Sequence, residues 1–186
     1  MSIEFRRTGA TSGELSFSTP RAPEEVYAYL ADFQRHKEWT SEIVSQEQTS
    51  EGPAGVGTTY RTVEAMREGS RMTAPTMCEI TALEPPRRIE WKARTGASHG
   101  PMAMRSQWTF EIVPEGAGSR VTQRFRFDPP DVFGAAFMRI FVPIADGVFG
   151  GLGASPKNIR KHGEKLAEIL NADSAGTPAA AAETSP

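Results

Sequence analysis

The stretch Met102–Phe127, MAMRSQWTFEIVPEGAGSRVTQRFRF, decides the fold. Successive side chains of a strand point to opposite faces. Here Met102, Met104, Ser106, Trp108, Phe110 and Ile112 alternate with Arg105, Gln107, Thr109 and Glu111. Beyond the Pro114–Gly118 turn, Val121, Gln123, Phe125 and Phe127 alternate with Arg120, Thr122, Arg124 and Arg126. Two adjacent strands with one aromatic and one charged face predict an antiparallel sheet covered on one side only.

The same texture extends upstream. In Arg88–Thr95, Ile89, Trp91 and Ala93 oppose Glu90, Lys92 and Arg94, and further strands are predicted over Met72–Leu83 and Thr58–Met66. Gly69, the Pro85-Pro86 pair and the segment 96–101 separate them, and turns this closely spaced favour pairing between sequence neighbours. The first strand is predicted at Glu14–Ser18 and ends before Pro20 and Pro23. Pro23 suits the first turn of a helix, with Glu24 and Glu25 at the positive end of its dipole. Val26, Leu30 and Phe33, with Tyr27 beside them, give that helix one buried face. A second short helix is expected over 34–39.

Downstream, the apolar run Val132–Ala154 is interrupted by Arg139, Pro143, Asp146 and five glycines. Those interruptions suit a helix buried against its own sheet rather than a membrane span. A helix resumes near Lys157, with Ile159, Leu166, Ile169 and Leu170 as its buried stripe and Lys157, Arg160, Lys161 and Lys165 toward water. The Ala/Ser/Thr/Gly/Pro-rich segment 172–186 is expected to be a disordered tail.

Composition narrows the functional classes. A chain of 186 residues, 38% hydrophobic, supports one sizeable core. With 21 basic and 23 acidic residues it carries no broad positive field, so nucleic acid is excluded as the expected partner. Cys78 is the sole cysteine, which rules out an internal disulfide and a multi-thiolate metal site. The opening MSIEFRR lacks an apolar leader core, and a cytoplasmic location is expected. No phosphate-cradling, dinucleotide-binding or nucleophile-elbow motif occurs. His36, His99 and His162 fall on three separate elements without metal-ligand spacing and are expected at the surface. Neither a cofactor, nor a metal, nor a catalytic residue is assigned.

Four pieces in order, FSTPRAPEEVYAYLADFQRHKEW (17–39), GVGTTYR (55–61), ITALEPPRRIEW (80–91) and RSQWTFEIVPEGAGSRVT (105–122), resemble the START-like (SRPBCC) superfamily, in particular its polyketide cyclase/dehydrase and lipid-transport branch. The resemblance implies an α+β helix-grip fold: a seven-stranded antiparallel sheet wrapped around a long C-terminal helix, with two short helices after the first strand. It divides the chain into an N-terminal extension (1–12), a START-like domain (13–171) and a tail (172–186). It implies binding of a hydrophobic small molecule, such as a lipid or polyketide, in a cavity between sheet and helix. A polyketide cyclase/dehydratase-type enzyme and a protein-interaction module resembling the Hsp90-activator homologues are the alternatives. The shared motifs are architectural and carry over no catalytic residue.

Strand parity selects the ligand-facing candidates: Tyr60, Glu64, Trp91, Met104, Ser106, Trp108 and Gln123 from the sheet, and Phe137, Phe141 and Phe149 from the facing helix. Met and aromatic side chains adapt to irregular apolar guests. Glu64 is the sharpest polar candidate, since a carboxyl in an apolar cavity is suited to proton transfer. Arg67 and Glu68, however, mark the end of its strand, and the expectation is that Glu64 turns toward water.

Overall fold

The alternating runs form the strands of one antiparallel sheet in a computed structural model of the chain, described over residues 2–9, 11–65, 68–96, 104–128, 136, 140 and 155–172. In chain order the elements are β1 (Glu4–Arg7), β2 (Ser12–Thr19), α1 (Pro23–Ala31), a 3-10 helix (Phe33–Glu38), β3 (Ile43–Gln48), β4 (Thr59–Ala65), β5 (Thr73–Glu84), β6 (Arg88–Thr95), β7 (Met104–Glu115), β8 (Gly118–Asp128) and α2 (Pro156–Ala172). The spatial order is β1-β2-β8-β7-β6-β5-β4-β3. β3 through β8 are therefore a meander of sequence neighbours, and β2 closes onto the last strand.

The described residues hold eight strands, not the seven expected. The extra one is β1, which pairs Glu4 with Ser16 and Arg7 with Gly13 inside the segment read as an extension. A four-residue edge strand, EFRR, is too short and too charged to show a period. Only Phe5 has an apolar role, stacking on Phe125 with ring centroids 6.2 Å apart. Gly13 makes room for this, because a Cβ there would lie 2.6 Å from the Phe125 ring.

α1 begins at Pro23, and the Ala22 N–H donates to Glu25 Oε2 at 3.2 Å, satisfying a donor left open at the helix start. At its other end the Leu30 carbonyl accepts from His36 Nε2 at 3.0 Å. α2 lies over β2. Gly163 faces Leu15 so closely that a Cβ would sit 2.4 Å from Leu15 Cδ1, and bare backbone is what allows the approach. Its last turn is held by Leu170 O, which accepts from Thr19 Oγ1 at 3.0 Å and Arg21 Nε at 2.9 Å. The core packs against the inward side of the sheet: Leu15, Ile80, Ile89, Phe110, Ile112 and Val121 from the strands join Val26, Leu30 and Phe33 and, from α2, Leu166 and Leu170.

Candidate functional site

Register fixes which inward side chains are neighbours. Across β4, β5, β6, β7 and β8, one rung reads Tyr60, Cys78, Ala93, Ser106, Phe127. The rung on one side, from β5 to β8, reads Ile80, Trp91, Trp108, Phe125, and that on the other, from β4 to β7, reads Thr62, Thr76, Thr95, Met104. The middle of the inward face is thus paved with the small side chains Cys78, Ala93 and Ser106, between an aromatic wall and a hydroxyl-bearing rung. Small residues set among large ones are where a recess can open, and Cys78 and Ala93 there are buried within the core cluster.

The aromatic wall is continuous. Trp91 and Trp108 stack with centroids 6.0 Å apart and planes 7° from parallel. Trp108 continues to Phe125 at 5.8 Å and to Phe127 edge-on at 5.6 Å. Trp108 Nε1 donates to Ser106 Oγ at 2.9 Å, so its polar atom is satisfied within the wall. Met104, Ser106 and Trp108 keep accessible surface where Phe110 and Ile112 on the same strand have none.

The 3-10 helix covers one flank. Its three-residue period stacks Phe33, His36 and Trp39 on one ridge. Phe33 lies parallel to Tyr60 at 5.2 Å and edge-on to Trp91 at 5.5 Å, while His36 packs between Phe33 and Trp39 and against Trp91 at 5.4 Å. His36 is therefore buried, a correction to its expected surface position. At 3.6 residues per turn Phe33, His36 and Trp39 would spread around a helix, whereas a 3-10 turn aligns them. Burial pushes its imidazole down to about 4.

A polar cluster stands at the opposite flank. Glu42, buried beside the end of β4, accepts from Asn158 Nδ2 at 2.7 Å and pairs with His162 Nε2 at 2.5 Å, both on α2. Burial works to raise the Glu42 carboxyl, but His162 and Asn158 outweigh it and hold it down at about 2. His162 is thus a second correction: it is mostly covered, not on the surface. Glu64 sits next to this pair. It is partly buried rather than turned to water, and burial, aided by the Glu42 charge, raises its carboxyl against the opposing effects of the Thr76 hydroxyl and His162. Cys78 is pushed up to about 12 by burial, with Glu64 adding to it, so its thiol is an inert piece of the floor.

Tyr60, Trp91, Met104, Ser106 and Trp108 lie on these three rungs and Glu64 on the next one along β4, whereas Gln123 lies beyond the aromatic wall, opposite Leu15 and Phe110. Gln123 Oε1 is buried and has no hydrogen-bond partner among the described residues, nor has Trp39 Nε1 on the far side of Phe110. Phe137, Phe141 and Phe149 lie outside the described residues, as do Arg139, Asp146 and His99. Sequence reasoning missed Glu42, Asn158 and Trp39. The i, i+4 pair Asn158/His162, flanking the Ile159–Leu166 stripe, was the signal available. Among the described residues no group of His, Cys, Asp and Glu side chains is arranged to hold a metal. No helix among them is long and apolar enough to cross a membrane.

A depression of about 430 Å³ lies among the outward side chains of Met77, Glu79, Lys92, Arg94, Arg105, Gln107 and Asp128 and also reaches Thr59, Cys78, Ala93 and Ser106. Its rim is charged and open. That makes it a poor host for an apolar guest, and the concave recess is the better candidate.

The fold recurs in solved structures of low sequence identity. A protein from Arthrobacter aurescens superimposes with a TM-score of 0.62 at 14% identity, covering 100% of this chain and 98% of its own. TTHA0849 from Thermus thermophilus gives 0.58 at 18% identity, with 89% of this chain and 99% of its own covered. A Rhodobacter sphaeroides protein gives 0.58 at 16% identity, with 91% and 97% covered. No curated protein matches the chain. Residues 10–152 match the family described as "Polyketide cyclase / dehydrase and lipid transport", and the chain belongs to that family.

Proposed function

We infer that the protein binds a hydrophobic small molecule in the concave recess floored by Cys78, Ala93 and Ser106. The observation that carries this reading is the rung of small side chains set directly between the Trp91–Trp108 stack and the Thr76–Thr95 pair. A core built only for stability fills such a position with Leu, Ile or Val, because empty volume costs packing energy. Covering about 300 Å² of apolar guest is worth roughly 7 kcal/mol before association costs, enough to hold it with few polar contacts. Family membership is consistent with the reading. Native mass spectrometry of gently purified protein, offered fatty acids, quinones and aromatic ketones, tests it. A one-to-one complex with at least one class is expected, and no complex across the panel refutes it.

A second reading, an enzyme of the cyclase or dehydratase type, is favoured by one observation. Glu64 has a raised carboxyl pKa at the edge of the recess, as a proton-transferring group requires. Turnover of a β-hydroxycarbonyl substrate that survives Glu64→Gln unchanged would remove Glu64 from that role.

A further inference from the structure

The outward face of the sheet is laced with ion pairs. Arg6 meets Glu14 at 2.8 Å, Arg88 meets Glu90 at 2.5 Å, Arg120 meets Glu4 at 2.7 Å, Arg126 meets Asp128 at 2.8 Å, and Arg124 meets Glu111. One rung departs from this pattern. From β4 to β8 it reads Arg61, Met77, Arg94, Arg105, Asp128, so two guanidinium side chains rise from directly opposed positions on β6 and β7. Lys92, two residues before Arg94 and on the same face, adds a third positive charge, and all three side chains are exposed. Among the described residues neither Lys92 nor Arg105 has an ion pair or a side-chain hydrogen bond. Like charges directly opposed across two strands destabilise a sheet.

The same three side chains line the depression of about 430 Å³, together with the exposed Met77 and the acidic Glu79 and Asp128. Asp128 is already engaged by Arg126, which leaves positive charge in excess on a chain whose net charge is −2. A concavity of this size holds a small molecule. A doubly charged tetrahedral oxyanion offers acceptor oxygens to both guanidinium groups and to the ammonium at once, and it offsets their mutual repulsion. A carboxylate has one charge and two oxygens to share among them. The Glu79 and Asp128 carboxylates favour a compact anion seated between the arginines, because an extended anionic bilayer would be pressed against both.

We propose that Lys92, Arg94 and Arg105 form a binding site on the outward face of the sheet for the phosphate group of a small phosphate monoester, whose carbon body lies against Met77. The site is separate from the inward recess and stands without it. No bond is made or broken there.

Glycerol 3-phosphate, acetate and chloride are titrated into the full chain at matched ionic strength and about pH 7.5, where a phosphate monoester carries close to two charges. Thermal unfolding reads the result, since a ligand that binds the folded state raises the melting temperature by mass action. The phosphate ester is expected to bind about tenfold tighter than acetate, with chloride weakest. Arg105→Gln is expected to weaken that binding about tenfold and, without ligand, to unfold at the wild-type temperature or above it, because it removes a like-charge opposition. Lys37→Gln removes one positive charge from the 3-10 helix on the other side of the sheet and is expected to leave binding unchanged. Equal stabilisation by all three anions, or equal losses in Arg105→Gln and Lys37→Gln, reduces the effect to general screening and overturns the site. An unliganded Arg105→Gln that melts several degrees below wild type overturns it too, for Arg105 would then be a structural contact. Vesicles of four parts phosphatidylcholine to one of phosphatidic acid, whose headgroup is also a phosphate monoester, separate the two sources of that chemistry. No co-sedimentation is expected, and pelleting that Arg105→Gln abolishes would assign the face to a membrane and overturn the small-molecule site.

Discussion

Replacing Glu42 by Gln removes the charge that ties α2 to the loop before β3. The carboxylate is 5% exposed and holds Asn158 Nδ2 at 2.7 Å and His162 Nε2 at 2.5 Å. Its folded-state value of about 2 lies below the ordinary 4.5, a gap that corresponds to about 3 kcal/mol of stability at neutral pH. Because the folded value is the lower one, this contribution is fully present above about pH 4.5 and is lost as pH falls toward 2. Urea unfolding of Glu42→Gln is therefore expected to show a loss of about 2–3 kcal/mol at pH 7. At about pH 3 the gap to wild type should have shrunk to roughly half or less, since the wild type is then losing the same stabilisation. His36 titrates identically in both proteins and cancels from the comparison. A gap under about 1 kcal/mol at pH 7, or one that stays constant into acid, would refute the assignment of Glu42 as a buried, ionised anchor.

Two further outcomes test the scaffold around the recess. His36, buried and lowered to about 4, should show no ionisation by nitrogen-15 NMR above pH 5, and holding it neutral should cost the fold about 3 kcal/mol as pH drops from 6.5 to 4; a titration midpoint near 6.5 contradicts the packing described for the 3-10 ridge. Gly118→Ala places a Cβ 2.1 Å from the Thr19 carbonyl oxygen, a backbone atom that cannot swing aside, and is expected to cost about 2 kcal/mol or more in thermal unfolding, while Gly55→Ala, with nothing within 4 Å, should change stability by less than about 0.5 kcal/mol.

The sheet was legible because its signal is local. Alternation in 88–95, 104–112 and 119–127 needs only neighbouring residues, and the parity it assigned is the parity of the buried face in β6, β7 and β8. β1 was not legible, since four residues at an exposed edge carry no burial pattern. The 3-10 ridge was hidden by its period, for Phe33, His36 and Trp39 align at three residues per turn and not at 3.6. Glu42 with His162, 120 positions apart, is a purely tertiary pairing. Glu64 shows both sides of this: its parity pointed inward, the charged residues after it argued for solvent, and the neighbouring Glu42 and α2, unseen in the local sequence, keep it partly covered. The small-residue rung was equally hidden, because Cys78, Ala93 and Ser106 become neighbours only when the register of three strands is known.

That rung also supplies the most direct test. Ala93 sits at its centre, between Cys78 and Ser106, and Ala93→Leu fills the recess with apolar volume while leaving the walls in place. Calorimetric titration of 2-acetylnaphthalene into wild type and Ala93→Leu, alongside their thermal unfolding, reads the claim. A guest site predicts at least tenfold weaker binding in a variant that unfolds at the wild-type temperature or above it. Undiminished binding by the filled variant, or a wild type that takes up nothing while Ala93→Leu unfolds several degrees lower from overpacking, would mean that the concave face is solid core.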